Sequence, residues 1–110
     1  QLGNALGRDV FSGENPRYGR PGRLPGSLSL PQVELVDPAD NRFLPADQIA
    51  AAMADAGLTR QGRHITCCGG GIFATLDAFW LYQLGHEHVA VYDNSMSEWG
   101  PDPSLPMTTG

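Results

Sequence analysis

At 110 residues the chain is one domain's worth of sequence, long enough to bury a core of its own. Twelve acidic side chains against seven basic ones give a formal net charge of −5, and every basic residue is an arginine. An acidic, lysine-free surface argues against nonspecific nucleic-acid binding, and no apolar run is long enough to span a bilayer, so neither nucleic acid nor a membrane is an expected partner.

Gln1 to Leu6 has weak strand character, and Asp9 to Gly13 reads as a short helical turn. From Glu14 to Gly26 the composition is that of a loop, punctuated by Pro16, Gly19, Pro21, Gly22, Pro25 and Gly26. That loop carries Arg17, Arg20 and Arg23, which either form a solvated turn or line a site for a small anion. Leu28-Ser29-Leu30 alternates and stops at Pro31, as a short strand would. Gln32 to Leu44 is irregular. Pro45 to Ala56 is a helix: proline suits the first turn, Asp47 favours the N-terminus and Gly57 supplies the stop. Ile49 and Met53, with Ala52 or Ala56, give its buried stripe.

Arg63 to Cys67 is a strand running into a glycine loop. The helix beyond places Ile72, Leu76, Phe79, Trp80 and Leu84 on one face and ends at Gly85. Val89 to Tyr92 is a short apolar strand, and Asp93-Asn94 turns the chain. Ser95 to Glu98 fits a capping box, with Trp99 anchoring that single turn. Pro101 and Pro103 end regular structure. Strands alternating with helices point to a parallel α/β sheet, whose sites lie at strand C-terminal ends.

The glycine loop lies at such an end. A thiol there faces the unsatisfied N–H groups of a helix N-terminus, whose partial positive charge stabilises a thiolate. Three consecutive glycines let several N–H groups converge on one point. On these residues alone, the stretch is either a nucleophilic cysteine in an anion cradle or a buried cysteine beside a glycine-rich turn. Side chains alternate along a strand, so Cys67 is expected to pack as a small hydrophobe and Cys68 to face the loop. Adjacent cysteines close only a strained ring, so reduced thiols, and with them a cytoplasmic setting, are expected. No arginine follows late in the loop, which disfavours a phosphatase, and no Gly-Lys-Ser/Thr follows, which disfavours a nucleotide phosphate loop. His86 and His88 come after a helix of about 18 Å, too far from the cysteines to complete a metal site. Both are expected as surface loop residues.

Three ordered motifs resemble those of one family. The segment CGGGIFATLDAFWLYQLGHEHVAVYDNSMSEWGPDPSLP, Cys68 to Pro106, resembles the C-terminal part of rhodanese domains, the thiosulfate and 3-mercaptopyruvate sulfurtransferases. YGRPGRLPGSLSLP, from Tyr18, is similar to the family's GHIPGA stretch, and DPADNRFLPADQIAAAMADAGL to the linker and helix between the two. The resemblance implies an α/β rhodanese-like fold, a central parallel sheet flanked by helices. Residues 1–110 would then be a single rhodanese-like domain beginning after the family's first strand and helix. It would be either a shortened domain or the second half of a tandem-domain protein.

The resemblance also implies a site. Cys68 takes the place of the catalytic cysteine that carries sulfur as a persulfide. The backbone N–H groups of Gly69, Gly70, Gly71, Ile72 and Phe73 take the place of the anion cradle, and Arg17 that of an arginine contacting the donor. The implied partners are a small anionic sulfur donor, a thiol or cyanide acceptor, and a second rhodanese-like domain or another subunit. No cofactor and no metal is implied. The chain departs from the family at several points. Glycines stand where thiosulfate-preferring members have cationic loop residues, and Gly70 stands where mercaptopyruvate-preferring members have serine. Asn4-Ala5-Leu6 replaces Asp-Ala-Arg, Arg23 replaces a frequent histidine, and Met96 a common tryptophan. The rival expectations are a non-catalytic binding or regulatory module, a sulfur relay, and a redox pair of Cys67 with Cys68. Asp93 and Ser95 are expected to be turn and cap residues.

Overall fold

Four short parallel strands present the cysteine loop, and they are described here from a computed structural model covering residues 1–59 and 61–110. β1 (Leu2–Asn4), β2 (Leu28–Ser29), β3 (His64–Cys67) and β4 (Val89–Val91) lie in the order β2-β1-β3-β4. Every neighbouring pair is parallel, with Leu2 opposite Ile65, Asn4 opposite Cys67 and Thr66 opposite Val91. β1 has the weakest strand signal of the four, yet it sits inside the sheet between β2 and β3. Pairing on both sides overrides its local propensity. The α/β architecture with a central parallel sheet is therefore present, with helices as its connections.

Those helices are α1 (Arg8–Ser12), α2 (Ala46–Ala56), α3 (Ile72–Gln83) and α4 (Ser95–Trp99), and a 3-10 turn spans Gln32–Leu35. α2 follows the sequence reading closely. Pro45 is its cap, Gly57 ends it at φ 92°, and Ile49 and Met53 are buried. They join Leu30, Leu35, Leu58 and Leu81 in one core cluster. A second cluster of Ala5, Leu6, Val10, Leu24, Cys68, Ala74 and Met96 gathers the cysteine loop with the segment after β1 and the start of α4.

α3 is rotated away from the expected face. Its fully buried residues are Ala74, Asp77 and Leu81, while Leu76, Trp80 and Leu84 are only partly covered. Ile72 is 77% exposed and Phe79 49% exposed. The helix is apolar nearly all round, so residue spacing selects no single face. A specific contact fixes the rotation instead: the Thr66 hydroxyl on β3 donates to the Ala74 carbonyl at 2.8 Å. Small Ala74 permits that approach.

Two further expectations are corrected. His86 is buried rather than a surface loop residue, stacked edge-on against buried His64 at 4.5 Å between ring centroids; His88 is exposed as expected. The capping box at the start of α4 does not form. Asn94 is the cap without a side-chain bond, and Glu98 instead accepts from the Tyr92 hydroxyl and the Asn94 amide.

Candidate functional site

β3 ends at Cys67, and Cys68 begins the turn into α3. The Cys68 Sγ accepts a hydrogen bond from the Gly71 N–H at 3.1 Å. Gly71 caps α3 with φ 89°, a left-handed conformation that glycine adopts without steric cost. A Cβ at that position would overlap the Asp93 carbonyl oxygen. The close approach of the β4–α4 connection thus requires glycine here.

That connection also holds the other side of the loop. The Cys68 N–H donates to Ser95 Oγ at 2.9 Å, and Ser95 Oγ donates to the Tyr92 carbonyl at 2.6 Å. The Cys68 carbonyl accepts from the Met96 N–H at 3.0 Å, and the Gly69 carbonyl from the Ser97 N–H at 2.8 Å. Ser95 is fully buried with φ 46°, an uncommon conformation for a non-glycine residue. It is therefore no ordinary cap: its hydroxyl serves the cysteine loop rather than the first turn of α4. Sequence pattern missed this because the hydroxyl's partner is 27 residues away.

The other predicted residues are placed as follows. Cys67 is buried, and desolvation, followed by the neighbouring Cys68 and Asp77, pushes its thiol up to about 12. It is the packed small residue expected. Both thiols are free. Cys68 is itself only 1% exposed. The Gly71 amide is the one donor to its sulfur among the described residues; the amides of Gly69, Gly70, Ile72 and Phe73 do not bond it. Gly71, Ile72 and Phe73 nevertheless form the start of α3, whose first N–H groups have no partner within the helix. Ile72 and Phe73 are exposed beside the loop.

The structure divides the arginine cluster. Arg20 donates to the carbonyls of Gly100, Leu105, Trp99 and Asp102, fastening the 14–26 loop to the segment after α4. Arg23 donates to the carbonyls of Phe11 and Gly110 and stacks on the Phe11 ring at 4.1 Å. Arg17 is exposed, lies over the Tyr18 ring at 5.6 Å and makes no hydrogen bond among the described residues. It is thus the cation of the three left with open donors. Tyr18 was not singled out from sequence; an aromatic in a proline-rich loop beside Arg17 was the available signal. Asp77, also missed, is fully buried on α3, and burial raises its carboxyl to about 8. No three His, Cys, Asp or Glu side chains converge as a metal site among the described residues. No helix among them is long and apolar enough to cross a membrane.

Three substitutions test this geometry. Gly71→Ala should cost at least about 2 kcal/mol in urea denaturation, because it adds left-handed strain to a backbone overlap. Gly70→Ser should be nearly neutral, since a Cβ there meets nothing within 4 Å. Ser95→Ala strands the buried Cys68 N–H and should cost about 1–3 kcal/mol in the same measurement.

A family model described as Rhodanese-like domain matches residues 9–102. Thiosulfate/3-mercaptopyruvate sulfurtransferase 1, mitochondrial, of Arabidopsis thaliana is 33% identical over 93 residues, which are 84% of this chain and 24% of that protein. 3-Mercaptopyruvate sulfurtransferase of Escherichia coli K12 is 33% identical over 86% of this chain and 33% of its own. The sulfur carrier protein TtuD of Thermus thermophilus is 32% identical over 83% and 32%. The chain thus spans about a quarter to a third of these curated relatives. Among solved structures, an anaerobic ergothioneine biosynthesis enzyme from Chlorobium limicola superposes over the whole chain and 28% of its own, with a TM-score of 0.88 at 22% identity. Tum1 of Saccharomyces cerevisiae covers 99% of this chain and 40% of its own, with a TM-score of 0.83 at 24% identity. At those identities the likeness is one of fold.

Proposed function

This chain belongs to the rhodanese-like domain family, and from that premise we propose that it is a sulfurtransferase domain with Cys68 as its sulfur carrier. The Cys68 thiolate attacks the outer sulfur of thiosulfate. A bond forms between Sγ and that sulfur, and the sulfur–sulfur bond of the donor breaks with its electron pair leaving on sulfite. With 3-mercaptopyruvate the carbon–sulfur bond breaks instead, and the pair leaves on the pyruvate enolate, which then takes a proton. Cyanide or an acceptor thiolate next attacks the outer sulfur of the persulfide, and the Cys68 thiolate is restored. The resting thiolate and the persulfide place negative charge on sulfur at the head of α3, where backbone N–H groups favour it. The observation that carries this reading is the Gly71 N–H bonded to Cys68 Sγ at the C-terminal end of a parallel strand.

In this reading Gly69, Gly70, Gly71, Ile72 and Phe73 supply the cradle for the outer sulfur, and Arg17 meets the donor's anionic group. A second rhodanese-like domain or another subunit would complete the cleft, and a reducing, cytoplasmic setting suits the free thiols. The test is intact-mass spectrometry after incubation with thiosulfate or with 3-mercaptopyruvate. The expected result is a gain of one sulfur atom on Cys68, removed by cyanide with release of thiocyanate. A thiol unchanged by both donors overturns it. The second reading, a sulfur relay or a binding module without turnover of its own, draws support from Asn4-Ala5-Leu6 at the family's Asp-Ala-Arg position and from the burial of Cys68. A relay gains sulfur only from a protein persulfide.

A further inference from the structure

Cys68 is 1% exposed, so no donor reaches its sulfur in this arrangement. One side chain from outside the loop lies against the next residue, Gly69. A Cβ built on Gly69 would overlap the Tyr18 hydroxyl and ring, so the phenol rests against the Gly69 backbone, next to the cysteine. Tyr18 packs on the same apolar cluster as Cys68, together with Val91, Tyr92, Trp99 and Met107. Its hydroxyl makes no hydrogen bond among the described residues, and the ring is half-buried. The side chain is therefore held by packing and by the Arg17 guanidinium over its ring, with no hydrogen bond to break when it turns.

Its backbone, by contrast, is fixed. A Cβ on Gly100 would overlap the Tyr18 carbonyl, and Arg20, two residues on, is anchored by four backbone carbonyls. Rotation about the side-chain bonds is thus the low-cost way to uncover the loop. The exposed Arg17 guanidinium lies over the Tyr18 ring at 5.6 Å, so an anion approaching it arrives beside the ring.

We infer that Tyr18 is the gate residue of the sulfur site: its side chain closes over Gly69 and Cys68 and sets which donors and acceptors reach the thiol. The purpose of the gate rests on the sulfurtransferase reading, but its test does not. The probe is iodoacetamide, a small neutral thiol reagent, with the modified residue located by fragment mass spectrometry in the whole chain. If the open state of a two-state gate is a few per cent populated, removing the gate raises the alkylation rate at Cys68 by roughly tenfold or more. Tyr18→Ala and Tyr18→Leu should both show that rise, Leu preserving apolar packing should Ala destabilise the fold. Tyr18→Phe, which keeps the ring over Gly69, should stay much closer to the parent. Cys67, buried independently, should remain unmodified throughout. Unchanged Cys68 rates in both the Ala and Leu variants overturn the gate. So does a rise shared equally by Cys67, which reports unfolding. Faster Cys68 alkylation in a protein that no donor can load with sulfur upholds the gate and sinks the sulfurtransferase reading.

Discussion

Cys68→Ser should lose sulfur uptake from thiosulfate and from 3-mercaptopyruvate by roughly 10³-fold or more, the scale expected when an acting nucleophile is deleted. A serine oxygen retains the Gly71 hydrogen-bond geometry but forms no persulfide and is scarcely ionised near neutral pH. Cys67→Ser is the paired control. Its thiol is buried and held protonated by desolvation, so sulfur uptake should persist. Thiocyanate release after cyanide, followed for both variants, separates the two roles. If Cys67→Ser is the silent variant and Cys68→Ser turns over, the assignment of carrier and packing residue is reversed.

The second large effect concerns stability. Asp77 lies fully buried on α3, and neither carboxyl oxygen has a hydrogen-bond partner among the described residues. Desolvation disfavours the charged form and raises the group from 3.8 to about 8. The folded state therefore holds a proton that the unfolded chain releases near pH 4. Stability from this group is complete below about pH 4 and is lost as pH rises towards 8, at about 1.4 kcal/mol per pH unit. Across that window the loss is on the order of 5 kcal/mol, comparable to the whole stability of many small domains. Urea midpoints should thus fall steeply from pH 5.5 to pH 8. Asp77→Asn is close in shape to the protonated acid and cannot ionise, so its midpoints should stay nearly flat over the same range. Parallel slopes for parent and variant would mean that Asp77 is solvated or paired in solution.

Much of the framework was legible because its signals are local. Pro45, Asp47 and Gly57 bound α2, and the apolar run before Cys67 announces β3. The position of the loop at a strand end follows from the alternation of strands and helices. What sequence could not show depends on partners far along the chain. An apolar α3 offers several plausible faces, and the Thr66–Ala74 bond chooses among them. Three arginines look equivalent in a loop, yet two bind backbone carbonyls contributed by the other end of the chain. Ser95 matches a capping pattern, but the amide it satisfies belongs to Cys68. Tyr18 matters only because β1 and β3 bring the two loops after them together.

The bonds from α4 into the cysteine turn have a spectroscopic consequence. The Met96 and Ser97 amides donate to the carbonyls of Cys68 and Gly69, so they exchange with deuterated solvent only when that turn releases them. Their protection is a catalysis-free clock on the breathing of the thiol site, readable from residues outside the loop itself.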